Sequence, residues 1–341
     1  MVKKFKLAIV GVTGLVGQAL LAILEKRNFP VSKLYPVASA RSDGEPITFN
    51  KQTLFVEDLA KFDFKEVDIV FFTAGASISA KYVPNAIAQG CVVIDNTSQF
   101  RYDDDVPLLI PEVNLQVLKN YKKTNIIANP NCSTIQMLVA LKPIYDAVGI
   151  SRINVVTYQS VSGAGRKAVK ELIDQSGRLL NGLAIKKPTA FAAQIAFNVI
   201  PQIDDFHKNG YTREEMKMVW ETQKIFSDKA IQVNPTAVRV PVFHSHSEAV
   251  HIETKEKIGA SQARELLKKA PGVTVIDKNI KNAYPMPVIQ NAQDDNVMVG
   301  RIREDISHPL GLNLWIVADN IRKGAALNAV QIAECLIKDY L

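Results

Sequence analysis

Short apolar runs alternate with helically spaced apolar positions through the first part of the chain. Residues 5–10 read as a strand, a glycine-rich turn and a helical run to about Arg27 follow, and further strands are expected at 33–38, 67–72, 91–95 and 125–128, with a helix after Ala76. This alternation predicts a Rossmann-type doubly wound parallel sheet, because parallel neighbours must be joined by a crossover, usually a helix. Past Cys132 the texture changes. A helical pattern over 133–148 leads into longer strands of alternating polarity at 152–161, 232–242, 247–254, 296–303 and 313–318. Those strands predict a second α+β domain on a mixed or antiparallel sheet. The closing segment, 322–340, carries apolar Ala325, Val330, Ala333, Leu336 and Ile337 at helical spacing and is expected to return to the first domain. The expected organisation is an α/β chain with one domain over 1–130 and 320–341 and another over 131–319.

Composition sets limits. With 341 residues, 47% hydrophobic and 22% charged, the chain reads as globular and too long for one ordinary core. No apolar run approaches a membrane span, and Met1-Val2-Lys3-Lys4 passes directly into a strand, so a cytoplasmic location away from membranes is expected. The net charge of +7 is spread along the chain without an arginine-rich block or interleaved aromatics, which argues against nucleic acid as a partner. Of the three cysteines, Cys91 opens an apolar strand and Cys335 sits in the closing helix, and both read as core.

The first turn, Gly11-Val12-Thr13-Gly14-Leu15-Val16-Gly17, has the Gly-x-x-Gly-x-x-Gly spacing that lets a pyrophosphate approach a helix N-terminus. In such folds the end of the second strand reads the adenosine ribose, an acid marking NAD and a cation NADP. Here Ser39-Ala40-Arg41-Ser42 offers a guanidinium flanked by hydroxyl donors, so NADP (NADPH) is expected. Asp43, one residue on, either repels a 2′-phosphate or orients Arg41.

Cys132 is the cysteine with chemistry. In Asn129-Pro130-Asn131-Cys132-Ser133-Thr134, the proline cannot continue a strand ladder and Asn131 is a good N-cap, so Cys132 falls at a helix N-terminus. The partial positive charge there favours thiolate over thiol. Downstream, Arg239-Val240-Pro241-Val242-Phe243-His244-Ser245-His246-Ser247-Glu248 presents an arginine and two histidines, and on an unbent strand His244 and His246 share a face. Spacing alone does not choose between them, and no third ligand at suitable spacing makes the pair a metal site. Thr212 and Glu215 have capping-box spacing, and Glu214, Lys217 and Glu221 then share a helix face that reads as solvated and salt-bridged. Arg101 is a similarly ambiguous cation.

In combination these motifs resemble the bacterial aspartate-semialdehyde dehydrogenases over essentially the whole chain. The resemblance runs through Gly11 to Gly17, Ala38 to Ser42, Asp95 to Arg101, Asn129 to Gln136, Tyr158 to Gly165, Glu214 to Lys217, Arg239 to Glu248 and Ala318-Asp319-Asn320. It implies Cys132 as nucleophile, His246 rather than His244 as acid/base, and Gln159 as the residue orienting the acyl intermediate. Arg239 with Glu214 is implied to hold the substrate α-carboxylate, and Arg101, Lys217 and Asn131 the phosphate. Gly11, Thr13, Gly14, Leu15, Val16, Ser39, Arg41, Ser42, Ser162, Gly163 and Asn320 are implied to line the NADP site, with no metal.

The implied reaction is NADPH-dependent reductive dephosphorylation of L-aspartyl 4-phosphate to the 4-semialdehyde and inorganic phosphate through a Cys132 thioester. It serves the synthesis of lysine and diaminopimelate, threonine, methionine and isoleucine, in a homodimer or tetramer. A protonated His246 is the expected helper of the thiolate. Ser245 stands where glycine is common. The competing readings are a related acyl-phosphate or acyl-CoA reductase and a noncatalytic cofactor-binding scaffold, which has no need of Cys132, Gln159, Arg239 and His246 together.

Overall fold

The structure is a computed structural model that describes residues 3–278, 280–288 and 295–341. Met1 and Val2, the start of the expected first domain, lie outside the described residues. The chain divides into two compact units, Met1–Pro130 with Ala325–Leu341, and Asn131–Gly324.

The first unit holds strands β1 (Phe5–Val10), β2 (Val31–Ala38), β3 (Pro46–Phe49), β4 (Gln52–Phe55), β5 (Glu57–Asp58), β6 (Ile69–Phe72), β7 (Val92–Asp95) and β8 (Ile126–Ala128), with helices α1 (Leu15–Lys26), α2 (Ala76–Ala88) and the single turn α3 (Pro111–Asn114). Six strands form one sheet in the order β5-β2-β1-β6-β7-β8, every pairing parallel, and β3 and β4 make a separate hairpin. The alternation in the sequence predicts this sheet. Between β1 and α1 the backbone turns so tightly that a Cβ on Gly17 would stand 2.4 Å from the Gly11 carbonyl oxygen, so only glycine fits there.

The second unit holds β9 (Ile150–Gln159), β10 (Gln232–Arg239), β11 (His246–Thr254), β12 (Val273–Val275), β13 (Val297–Glu304) and β14 (Gly311–Ala318), with α4 (Cys132–Val148), α5 (Arg166–Leu180), α6 (Arg213–Phe226) and α7 (Ala260–Lys269). Its sheet is mixed, in the order β10-β9-β11-β14-β13-β12. Arg239 pairs with Gln159, and His246 with Ala318, so the C-terminal ends of β9, β10 and β14 and the start of β11 fall at one end of the sheet. Helix α4 packs across β9, β11, β13 and β14. Residues Ser133 to Leu141 are buried without interruption, which makes α4 a core helix that delivers its first residue to that same end.

Several strand ends shift by one or two residues, and two differences bear on the site. The strand expected over 232–242 stops at Arg239, and the chain turns before β11 begins at His246. Pro241 has no N–H for a ladder, and Ser245 takes a left-handed backbone conformation at φ 68°. The bend separates the two histidines: His244 is exposed and His246 fully buried. The return to the first unit comes at Ala325 rather than 320. Asn320 stays with the second unit because its side chain is hydrogen-bonded to Ser160, Ser162 and Ser245.

A wide π-type turn, Arg322–Ala326, leads into α8 (Leu327–Asp339), which completes the first unit's core by setting Leu327, Ile332 and Leu336 with Ile9, Ile94, Leu20 and Leu24. Each such buried side chain contributes about 1.5–3 kcal/mol. Arg27 grips Glu334 through two 2.7 Å hydrogen bonds that tie α1 to α8. No helix among the described residues is long and apolar enough to cross a membrane.

Candidate active site

Cys132 opens α4, half-buried, and the residue before it does the capping: Asn131 Oδ1 accepts from the Ser133 and Thr134 N–H groups at 3.0 and 3.4 Å. The cap is itself anchored. Its own N–H donates to Glu221 Oε2 at 2.7 Å and its Nδ2 to Glu214 Oε1 at 2.9 Å. Glu214 and Glu221 are 5% and 0% exposed, so this face of α6 is not the solvated one its charges suggested. It is turned inward because α6 packs against α4.

Glu214 organises three further groups. Gln159 Nε2 donates to Glu214 Oε1 at 3.1 Å and to Ser133 Oγ at 2.9 Å, which fixes its amide at the end of β9. Lys217 Nζ, one helical turn along, is 2.9 Å from Glu214 Oε2 and 3.0 Å from Asp204 Oδ2. Burial pushes the Glu214 carboxyl up, but Lys217, Asn131 and Gln159 outweigh it and hold the group down to about 2.

The stability this ionised network contributes is therefore complete above about pH 4.5, the group's ordinary value, and is lost as pH falls from there toward about 2. Thermal unfolding across that window is expected to show a steeper acid decline for the wild type than for Glu214→Gln. Parallel curves would mean that Glu214 is not held ionised.

Arg239 ends β10 nearly buried, at 5% exposure, with its Nη1 donating to the Ser160 carbonyl at 2.7 Å and its guanidinium 6.0 Å from the Phe191 ring centre. Burial lowers its pKa while Glu214 and Cys132 pull it back up, so guanidinium and sulfur lie within electrostatic reach of each other. A Cβ on Gly163 would meet Arg239 Nη1 at 2.9 Å and His246 Nε2 at 3.1 Å, so this glycine is the floor on which both side chains rest. Gly324 plays a similar part behind the nucleophile, where a Cβ would stand 2.8 Å from Cys132 Cβ.

His246 Nδ1 meets the Ser160 N–H at 3.1 Å. Burial, then the Arg239 charge, pulls the ring down to about 3 against the opposing influence of Glu214. The ring is thus neutral at physiological pH, contrary to the expectation of a protonated His246. Help for a thiolate falls to the α4 N-terminus and Arg239.

The first unit carries the cofactor-type features. A cavity of about 510 Å³ is lined by Gly11, Thr13, Gly14, Ser39 and Ala40 at the C-terminal ends of β1 and β2, where α1 begins. Bare backbone against a helix N-terminus suits a pyrophosphate. Leu15 and Val16 start α1, while Arg41 is exposed and Ser42 half-buried in the turn after β2. Asp58 also borders the cavity. Arg101 lies in this unit, 6% exposed, with Nη2 donating to the Asn96 carbonyl at 3.1 Å.

The structure thus gathers Cys132, Asn131, Gln159, Glu214, Lys217, Arg239, His246, Ser162, Gly163 and Asn320 in the second unit, and places Arg101 and the residues from Gly11 to Ser42 in the first. Sequence reasoning missed Ser133, Glu221 and Gly324 as neighbours of the nucleophile. Only Ser133 had a local signal, its place beside Cys132. Among the described residues no cluster of three or more His, Cys, Asp or Glu could hold a metal ion.

Comparisons with known proteins follow the same division. Residues 6–121 match the family described as "Semialdehyde dehydrogenase, NAD binding domain", and residues 141–323 match "Semialdehyde dehydrogenase, dimerisation domain". The chain is 61% identical over 341 residues to the aspartate-semialdehyde dehydrogenase of Legionella pneumophila, covering 100% of this chain and 98% of that one. It is 58% identical over 340 residues to that of a Shewanella species, covering 100% of both. Aspartate semialdehyde dehydrogenase II of Vibrio cholerae, solved in complex with ASA, superposes with a TM-score of 0.97 at 55% identity, over 99% of this chain and 100% of that one.

Proposed function

The chain belongs to the aspartate-semialdehyde dehydrogenase family, and on that premise we propose that it interconverts L-aspartyl 4-phosphate with L-aspartate 4-semialdehyde and inorganic phosphate through a thioester on Cys132. The observation that carries this reading is the convergence on one helix N-terminus of Cys132, the Gln159 amide and Arg239. An unassisted thiol, with a pKa of about 8.5, is only a few per cent ionised at neutral pH. The α4 N-terminus and Arg239 favour the charged form that attacks an acyl carbon.

Arg239 is the partner proposed for the substrate α-carboxylate, with Glu214 completing that pocket. Its Nη1 is committed to Ser160, and the planar guanidinium offers further donors in a rigid fork. Gln159, tethered to Ser133 and Glu214, orients the acyl group, and Lys217 and Arg101 are the cations proposed for phosphate. The Gly11 to Gly17 turn and the adjoining cavity fit a dinucleotide, and when bound such a cofactor supplies the hydride.

Exposed Arg41 supports NADP as the form used. The match of residues 141–323 to a dimerisation domain supports a homodimer. In the cell the reaction would feed the synthesis of amino acids derived from aspartate.

The test is absorbance at the reduced-nicotinamide band with aspartate semialdehyde, comparing NADP with NAD and phosphate with none. Reduction that requires phosphate, with kcat/KM for NADP roughly tenfold or more above that for NAD, is expected. Sustained turnover without phosphate, beyond one reduced nicotinamide per active site, or no reduction by folded protein, would overturn the reading.

A further inference from the structure

The two nitrogens of His246 are in different situations. The Ser160 main-chain N–H points at Nδ1 from 3.1 Å, and Ser160 Oγ lies at 3.1 Å as well. An amide N–H can only donate, so Nδ1 accepts, and a neutral ring then carries its proton on Nε2. Nε2 is buried and has no hydrogen-bond partner among the described residues. It lies beside the same glycine as Arg239 Nη1.

The donor that sets this state is held by one amide oxygen. Asn320 Oδ1 is 3.1 Å from Ser160 Oγ, 3.1 Å from Ser162 Oγ and 3.0 Å from the Ser245 main-chain N, while the two hydroxyls are 3.0 Å apart. One buried side chain thus fixes both the turn that carries the donor and the left-handed residue that precedes His246.

We propose that Asn320 is a positioning residue for His246: by gathering Ser160, Ser162 and Ser245 it keeps the Ser160 N–H on Nδ1, so that His246 works as a neutral imidazole with its proton on Nε2. The inference rests on His246 being the ring that serves the Cys132 chemistry. The charged groups that act on that ring are Arg239 of β10 and Glu214 of α6; Arg239 is itself within electrostatic reach of Cys132 of α4, and two residues along β11 stands Glu248, whose carboxyl burial pushes well above its ordinary range. Burial and Arg239 both act on the ring in the direction of neutrality and outweigh Glu214 and the Ser245 backbone, which act the other way.

The reaction balances without a proton passing through this ring. The sulfur attacks with its own electron pair. The C–S bond forms as the acyl C–O bond to phosphate breaks, and phosphate leaves with that pair and takes up from solvent water the one proton that the overall reaction consumes. After the acyl carbon has gained a hydride from the nicotinamide cofactor, the C–S bond breaks and its pair returns to sulfur. What the substrate oxygen needs while it carries charge is a donor, and Nε2–H is one that stays neutral throughout.

Nitrogen-15 NMR of the full-length protein labelled at histidine tests this, with the His246 signals assigned by their loss in His246→Asn. A pyridine-type Nδ1 and a pyrrole-type Nε2, unchanged between about pH 5 and about pH 8, are expected. Asn320→Ala is expected to give mixed tautomers and a kcat lowered roughly tenfold or more. A pyridine-type Nε2 or an imidazolium in the wild type would overturn the inference, as would a single unchanged tautomer in Asn320→Ala. The wild-type spectrum decides alone should that variant fail to fold. Because it reads the ring whether or not turnover occurs, an Nε2–H ring in an inactive protein would sink the proposed function and leave the tautomer assignment standing.

Discussion

Cys132→Ala is expected to lower phosphate-dependent nicotinamide reduction by a factor of roughly 10⁴ or more while leaving the fold intact. The size follows from what is removed. Without the sulfur the remaining groups can bind and polarise an acyl carbon, but no covalent intermediate forms. The fold is expected to survive because Cys132 does not cap its own helix. That work belongs to Asn131, whose side chain bonds to Ser133 and Thr134 and is anchored on Glu214 and Glu221. Alanine is also the best helix former, and Gly324 against Cβ leaves room for it. Steady-state rates with parallel thermal melts check this. Activity within tenfold of wild type would remove Cys132 from the chemistry.

The second large effect is expected from Arg239→Leu, at roughly 10²- to 10³-fold in kcat/KM for the semialdehyde. A carboxylate entering this buried corner would lose its paired donor, and the Ser160 carbonyl would lose its 2.7 Å partner. Lysine is not expected to rescue the loss, since a point charge cannot reproduce the fork. Glu214 keeps Lys217 in the variant, which limits collateral damage to the network. The loss should appear mainly as a raised KM for the semialdehyde, with KM for NADP little changed. A semialdehyde KM within twofold of wild type would mean that Arg239 does not hold the carboxylate.

Local features were legible in the chain. The cap-then-cysteine pattern at Asn131 and Cys132, the capping box at Thr212 and Glu215, and the glycine turn before α1 depend on residues within a few positions of one another, and each forms as its spacing predicts. The sheets follow from strand texture, since buried parallel strands read as continuous apolar runs and the longer ones alternate.

What stayed hidden depends on residues far apart in sequence. Glu214 and Glu221 look like a wet salt-bridged face until α6 is set against α4. The difference between His244 and His246 arises at Ser245, whose left-handed backbone is held by Asn320, 75 positions away. A periodicity argument assumes an unbent strand and cannot see that hydrogen bond. The charge state of His246 is hidden for the same reason: burial and the nearness of Arg239 are tertiary facts.

The thioester itself is the most direct thing to measure. Mixing the protein with aspartate semialdehyde and NADP in the absence of phosphate, the account predicts a rapid stoichiometric burst of reduced nicotinamide. An aspartyl adduct should then be found by mass spectrometry on the peptide that contains Cys132, and should be discharged when phosphate is added. No burst and no adduct, or an adduct on another residue, would contradict it.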